Sequence, residues 1–175
     1  ELVQHTVKNQ LKGDMAIFGV LSLLLAELID NITDHSYSPN GFIFCQLLPK
    51  EGNLYVFIGD TGRSIYSSYA TDPRYSGLLS SLESSALALA LLGKSTKNRP
   101  ENENRGYGIS KSRSLIVDGL KGEFFILSGS SFFRHDPSGE TLVDLPDPLR
   151  WDGTVVLLKI PTLIPQGFDI YDYFS

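Results

Sequence analysis

Along the first third of the chain, the pattern of hydrophobic and polar positions predicts one helix and then two strands. The apolar run 15–26 follows Gly13 and Asp14, and Asp14 suits the N-cap position. We expect this helix to reach about residue 34, before a stretch rich in Ser, Pro, Asn and Gly. Aromatic and β-branched residues then dominate 42–48 and 54–58, which predicts two buried strands joined by a turn.

Helical and extended patterns alternate in the remainder of the chain. Helices are predicted over about 80–92 and 109–120, and residues 93–105 between them, almost without apolar side chains, predict a mobile loop. The later strands are predicted at 123–127, 131–134 and 154–160. This order predicts an α+β fold, a two-layer α/β sandwich with helices packed on one face of a mixed, mostly antiparallel sheet.

Composition adds that the chain is long enough for one domain with its own core. Of its 175 residues, 42% are hydrophobic, and we expect a single domain over 1–175, with a core at 14–161 and a tail at 162–175. The net charge of −5 gives no sign of nucleic-acid binding, and no membrane segment is expected because 15–26 is shorter than the roughly 20 residues needed. One cysteine and no recognisable signal peptide favour a cytoplasmic location.

Glu27 and Asn31 are the first candidate for chemistry. They lie four residues apart in the predicted helix, so both side chains point the same way. The Asn31 oxygen suits a magnesium ion that bridges phosphates, and Glu27 is placed to polarise an attacking water or hydroxyl. A solvated helix face explains the same pair, and for the pair taken alone it is the favoured explanation.

Asp60 and Gly62 end the second predicted strand. A carboxylate there, beside a glycine that lets a ligand approach the backbone, could accept a hydrogen bond from an adenine amino group. An ordinary β-turn is the alternative, because Asp-x-Gly often forms one.

Residues 105–108 (Arg-Gly-Tyr-Gly) connect the polar loop to the start of the next predicted helix. Glycines at a helix N-terminus expose backbone N–H groups, which favour phosphate binding. A flexible hinge would explain these two glycines equally well.

Taken together and in this order, the motifs resemble the GHKL ATPase family (gyrase, Hsp90, histidine kinase, MutL), and in particular its stand-alone, anti-sigma-factor-like members. Glu27 to Asn31 matches the N box, and Asp60 to Gly62 the first glycine box. Residues 93–108 resemble the ATP lid and second glycine box, and 153–161 the closing strand. One departure is Ser64, where the first glycine box often has a second glycine.

The resemblance implies a Bergerat-type fold that binds ATP and Mg²⁺. It makes Asn31 the metal ligand and Glu27 the general base. Asp60 becomes the adenine anchor, supported by Gly62 and Thr154. The residues implied as lid and phosphate contacts are Lys97, Arg105, Gly106, Tyr107 and Gly108.

The function expected from this resemblance is a protein kinase in bacterial signalling, transferring phosphate to a serine or histidine of a separate protein partner. The first alternative is an ATP-hydrolysing conformational switch, which the position of Glu27 permits. The second is a nucleotide-sensing interaction module without turnover, in which the aromatic tail docks a partner, although packing of that tail on its own domain is the favoured role. A homodimer is compatible with each.

Overall fold

The computed structural model describes residues 40–96 and 108–173, together with Gly19, Ser22 and residues 24–26, 28–30 and 36–38. The strands are β1 (Gly41–Leu48), β2 (Asn53–Asp60), β3 (Glu123–Gly129), β4 (Ser131–Asp136), β5 (Gly139–Asp144) and β6 (Trp151–Pro161). The helices are α1 (Ile65–Ala70), α2 (Ser84–Leu91) and α3 (Ile109–Ser114), which continues as a π-helical turn over Leu115–Gly119. Short 3₁₀ turns cover Ser76–Leu78 and Ile170–Tyr173, and the described residues of 19–30 are also helical.

The six strands form one sheet in the order β1-β2-β6-β3-β4-β5. Every described pair of neighbouring strands is antiparallel, in line with the mostly antiparallel sheet that was expected, and no described pair is parallel. The last strand of the chain, β6, lies between β2 and β3. The end of β2, at Asp60, is therefore beside the beginning of β6.

The core lies between one face of this sheet and the helices. Strand β2 alternates and buries Leu54, Val56 and Ile58, as the two-residue period of a strand requires. Leu24, Leu25 and Leu28 are buried at the three- and four-residue spacing of a helix face. Full burial of each such side chain contributes about 1.5–3 kcal/mol. The predicted α+β two-layer sandwich is confirmed.

Helix α1 and strand β5 were not predicted from the sequence. Helix α1 is short and has few strong helix formers, but the Ser64 side chain caps it by accepting a hydrogen bond from the Ser67 N–H (3.2 Å). Strand β5 is an edge strand with almost no buried position, so no alternation marks it in the sequence. It is a strand only because its backbone pairs with that of β4.

The tail packs on its own domain in its described part, residues 162–173. Phe168 and Tyr173 stack with ring centroids 6.0 Å apart and cover Gly119, where a Cβ would lie 2.9 Å from the Phe168 ring. No helix in the described part of the chain is long and apolar enough to cross a membrane.

Candidate functional site

The carboxylate of Asp60 is the centre of the site, at the end of β2. The residue is 2% exposed, and its Oδ1 accepts a hydrogen bond from the Gly62 N–H (2.8 Å). Burial raises the pKa of this carboxyl group, and the backbone N–H groups of Gly62 and Thr154 offset part of that increase. Among the described residues, no basic side chain forms an ion pair with it.

Thr154 and Gly153 reach Asp60 through the pairing of β2 with β6. Gly59 pairs with Val155, so the next residues, Asp60 and Thr154, are also brought face to face. Gly153 has φ +104°, and a Cβ there would lie 2.4 Å from the Asp60 carbonyl oxygen. Only glycine combines this conformation with such a close approach.

Ser128 links the site to two other elements. Its fully buried Oγ accepts a hydrogen bond from the Ile65 N–H at the start of α1 (2.8 Å) and lies 3.0 Å from the Gly153 carbonyl oxygen. Its hydroxyl proton is therefore committed to Gly153. The Thr154 Oγ1, 2.9 Å away, then donates to Ser128 and keeps its lone pairs for another donor.

Trp151 holds the Asp60 backbone. Its indole Nε1–H donates to the Asp60 carbonyl oxygen (2.7 Å), and its ring meets Phe42 edge-on at 6.0 Å between centroids. The backbone carbonyl and the carboxylate of Asp60 thus each accept a hydrogen bond that fixes their position.

Gly62 leaves space for the backbone of Ser36. A Cβ at Gly62 would lie 2.0 Å from the Ser36 carbonyl oxygen, and that oxygen accepts a hydrogen bond from the Arg63 N–H (2.7 Å). Ser36 follows the described helical residues of 19–30 and is buried. The backbone of Ser36 is therefore held against the turn that follows β2. Gly62 as a ligand contact stays a prediction.

Gly108 is the N-cap residue of α3. Its carbonyl accepts from the Ser112 N–H (3.1 Å), and the space where its Cβ would be is open. The remaining predicted site residues lie outside the described residues: Glu27, Asn31, Lys97, Arg105, Gly106 and Tyr107. In the part of the chain that the structure does describe, no group of three or more His, Cys, Asp or Glu side chains is placed to hold a metal ion.

Ser128, Trp151 and Ser36 contact the site and were not predicted from the sequence. Ser128 had a weak signal, a polar residue ending the apolar run of a predicted strand. Trp151 and Ser36 had none, because their contacts with Asp60 and Gly62 join segments far apart in the chain.

No protein-family model matches the chain, and no curated protein matches it. A solved structure, the 43K ATPase domain of Thermus thermophilus gyrase B in complex with an aminocoumarin, is similar at 15% sequence identity with a TM-score of 0.41. The match covers 89% of this chain and 37% of that chain. At this identity and TM-score, the likeness does not establish a family.

Proposed function

We propose that this chain binds an adenine nucleotide, with the Asp60 carboxylate accepting a hydrogen bond from the adenine amino group. The observation that carries the proposal is a buried carboxylate held by backbone donors, with no cation paired to it among the described residues. Burying such a group without a compensating cation lowers stability. Groups with a pKa perturbed by burial are concentrated at functional sites.

The chemistry of these groups favours adenine over guanine. A carboxylate attracts the exocyclic amino group of adenine, whereas guanine presents a carbonyl oxygen at the equivalent ring position and would be repelled. Thr154 adds a second acceptor beside Asp60, because its hydroxyl proton is directed to Ser128.

The phosphate end of the proposed site rests on the sequence. We propose Asn31 as the Mg²⁺ ligand and Glu27 as the general base, with Lys97, Arg105, Gly106, Tyr107 and Gly108 contacting phosphate. A contact in the described residues supports this placement: Ser36, five positions after Asn31, lies against Gly62 beside Asp60. When bound, Mg²⁺ would neutralise charge on the phosphate oxygens.

Thermal unfolding with and without nucleotide tests the binding proposal. MgATP should raise the Tm of the wild-type chain, because a ligand that binds only the folded state stabilises it. Asp60→Asn should abolish that rise, since an amide NH₂ replaces an acceptor that the adenine amino group needs. Asp152→Asn is the matched control, because Asp152 is exposed on the neighbouring strand and should leave the rise intact.

Two results would contradict the binding proposal. One is a wild-type Tm that no adenine nucleotide changes. The other is an equal response of the wild-type and Asp60→Asn chains at saturating nucleotide.

For the reaction, we propose phosphate transfer to a protein partner, with hydrolysis and nucleotide sensing as the alternatives. Glu27→Ala should abolish turnover of ATP and leave its binding largely intact, as expected for a general base. Following the labelled γ-phosphate into protein or into free phosphate separates kinase from hydrolase. Equal loss of binding and turnover in Glu27→Ala would make Glu27 a structural residue.

A further inference from the structure

Two tyrosines hold the backbone at the described beginning of the polar loop that follows α2. The Tyr69 hydroxyl donates a hydrogen bond to the Lys94 carbonyl oxygen, and the Tyr75 hydroxyl donates to the Ser95 carbonyl oxygen (3.2 Å). The two rings contact each other, with centroids 5.2 Å apart. Tyr69 is 5% exposed, so its hydroxyl needs this carbonyl as a hydrogen-bond partner.

The end of α2 fixes the same part of the chain from the other side. Gly93 has φ +76°, and its N–H donates to the Ala90 carbonyl oxygen (3.0 Å). The Lys94 N–H donates to the Leu89 carbonyl oxygen (3.1 Å). These two bonds around a left-handed glycine form a Schellman motif, which ends a helix in a defined direction. The N–H and the carbonyl of Lys94 are therefore both bonded, one to α2 and the other to Tyr69.

Helix α1 contacts both the surroundings of Asp60 and the start of the polar loop. The helix begins directly after the turn that follows Asp60, and its Ile65 N–H donates to the Ser128 Oγ (2.8 Å) in the hydrogen-bond network beside that residue. Towards the end of the helix, the Ser68 Oγ lies 3.4 Å from the Thr96 Oγ1. One short helix thus joins the proposed adenine end of the site to the residues that lead into the polar loop.

We propose that Tyr69 and Tyr75 are positioning residues for the phosphate end of a bound nucleotide. Their hydroxyls fix residues 94–96, and Lys97, the next residue of the sequence, contacts phosphate from this fixed start. This inference rests on the proposed function, in which Asp60 takes the adenine and Lys97 contacts phosphate.

The physical basis of this role is conformational entropy. A cation on a chain segment loses freedom when it binds phosphate, and that loss is smaller when the residues before it already have one conformation. Removing a tyrosine hydroxyl should therefore weaken the binding of a ligand that has phosphates. Adenosine has none, so its affinity should not change. A hydroxyl that served only the packing of the core would affect both ligands equally.

The first test compares the dissociation constants of MgATP and of adenosine for the whole chain. Tyr69→Phe keeps the ring and should weaken MgATP binding about 5-fold, the usual net effect of one hydrogen bond, with adenosine unchanged. Tyr75→Phe should act in the same direction. Tyr66→Phe is the matched control, because Tyr66 is also in α1 but its hydroxyl donates to the Ser80 carbonyl oxygen (3.0 Å), so neither affinity should change.

The second test measures the start of the loop directly and uses no nucleotide. Trypsin cleaves after lysine, and cleavage after Lys94 requires its carbonyl oxygen to leave the Tyr69 hydroxyl and enter the oxyanion hole of the protease. The initial rate of cleavage at this bond, followed by mass spectrometry, should be about 5-fold higher in Tyr69→Phe than in wild type. Tyr66→Phe should be cleaved there at the wild-type rate.

The outcomes separate this inference from the binding proposal. Unchanged MgATP binding in Tyr69→Phe, or equal weakening of MgATP and adenosine, would overturn the positioning role and leave adenine-nucleotide binding in place. A rate of cleavage after Lys94 that does not respond to Tyr69→Phe would also overturn the positioning role. A wild-type chain that binds neither MgATP nor adenosine would overturn the binding proposal and the positioning role together.

Discussion

Asp60 and Glu83 are two carboxylates with similar surroundings, which we call the Asp60 corner and the Glu83 corner. The two corners differ in whether a cation offsets the negative charge of the carboxylate. Each carboxylate is pressed against a glycine with positive φ, Gly153 beside Asp60 and Gly129 beside Glu83. The Glu83 carboxylate accepts from the Ser130 N–H (2.8 Å) and also lies 3.7 Å from the Arg150 guanidinium. Asp60 has backbone donors, and no cation pairs with it among the described residues.

This difference distinguishes a carboxylate that has an ion-pair partner from the carboxylate that we propose accepts a hydrogen bond from a ligand. At Glu83 the negative charge is paired with the Arg150 guanidinium. The carboxylate also links the start of α2 to the β3–β4 turn through the Ser130 N–H. At Asp60 the ionised group is desolvated and pairs with no cation among the described residues, which costs stability that a donor on a ligand would restore.

The largest expected loss of stability comes from replacing the glycine of each corner, Gly153 or Gly129, with alanine. Gly153→Ala should lower the free energy of unfolding by about 2–4 kcal/mol, because its Cβ would meet the Asp60 backbone at 2.4 Å and the φ of +104° is strained for alanine. Gly129→Ala should cost less, about 1–2 kcal/mol, because its Cβ meets the end of the Glu83 side chain, which can move away. Urea unfolding of both variants measures the difference. Equal losses would show that the two corners are equally rigid.

Removing one hydroxyl from each corner should have a smaller effect. Ser128→Ala should lower the free energy of unfolding by about 2–3 kcal/mol, because the buried Ile65 N–H and the Gly153 carbonyl lose a partner. Ser130→Ala should cost about 0.5 kcal/mol or less, since its hydroxyl makes one long contact with Asp144 (3.5 Å). Thermal unfolding suffices, at about 2–4 °C per kcal/mol. A large loss of stability in Ser130→Ala, without one in Ser128→Ala, would contradict this prediction, because it would place the more important side-chain hydrogen bonds in the Glu83 corner.

The smallest effects should have opposite signs in the two corners. Glu83→Gln should destabilise by about 0.5–1 kcal/mol, because it loses a partly exposed ion pair and keeps an acceptor for Ser130. Asp60→Asn should stabilise the ligand-free protein at neutral pH, because it removes a buried charge and keeps an acceptor for the Gly62 N–H.

The pH dependence of Asp60→Asn follows from the raised pKa. Below the ordinary pKa range of an aspartate, the carboxyl group is protonated in the folded and unfolded states, so the difference in stability between wild type and variant should not change with pH there. As pH rises through that range to the raised pKa, the unfolded chain loses the proton first, and wild type should lose stability relative to Asp60→Asn. Urea titrations at several pH values check this, and a stability difference that stays constant through that pH range would contradict the raised pKa. A variant less stable than wild type at neutral pH would contradict the predicted stabilisation.

The elements that the sequence predicted are those with a strong local pattern. The apolar runs at 42–48 and 54–58 lie within β1 and β2, and α2 lies within the helix expected at 80–92. Strand β5 escaped prediction because an exposed edge strand has no hydrophobic alternation. The π-helical turn at Leu115–Gly119 also escaped prediction, because it continues α3 without a break and no residue type marks the change from an α-helix.

By itself, the sequence determined that a carboxylate ends an apolar strand and is followed two residues later by glycine. That much is local, because strand periodicity and turn residues act over a few positions. Only the tertiary structure decided that β6 pairs with β2, which sets Thr154 and Gly153 against Asp60 although more than 90 residues separate them. Strand register depends on which faces become buried together, and no short stretch of sequence contains that information.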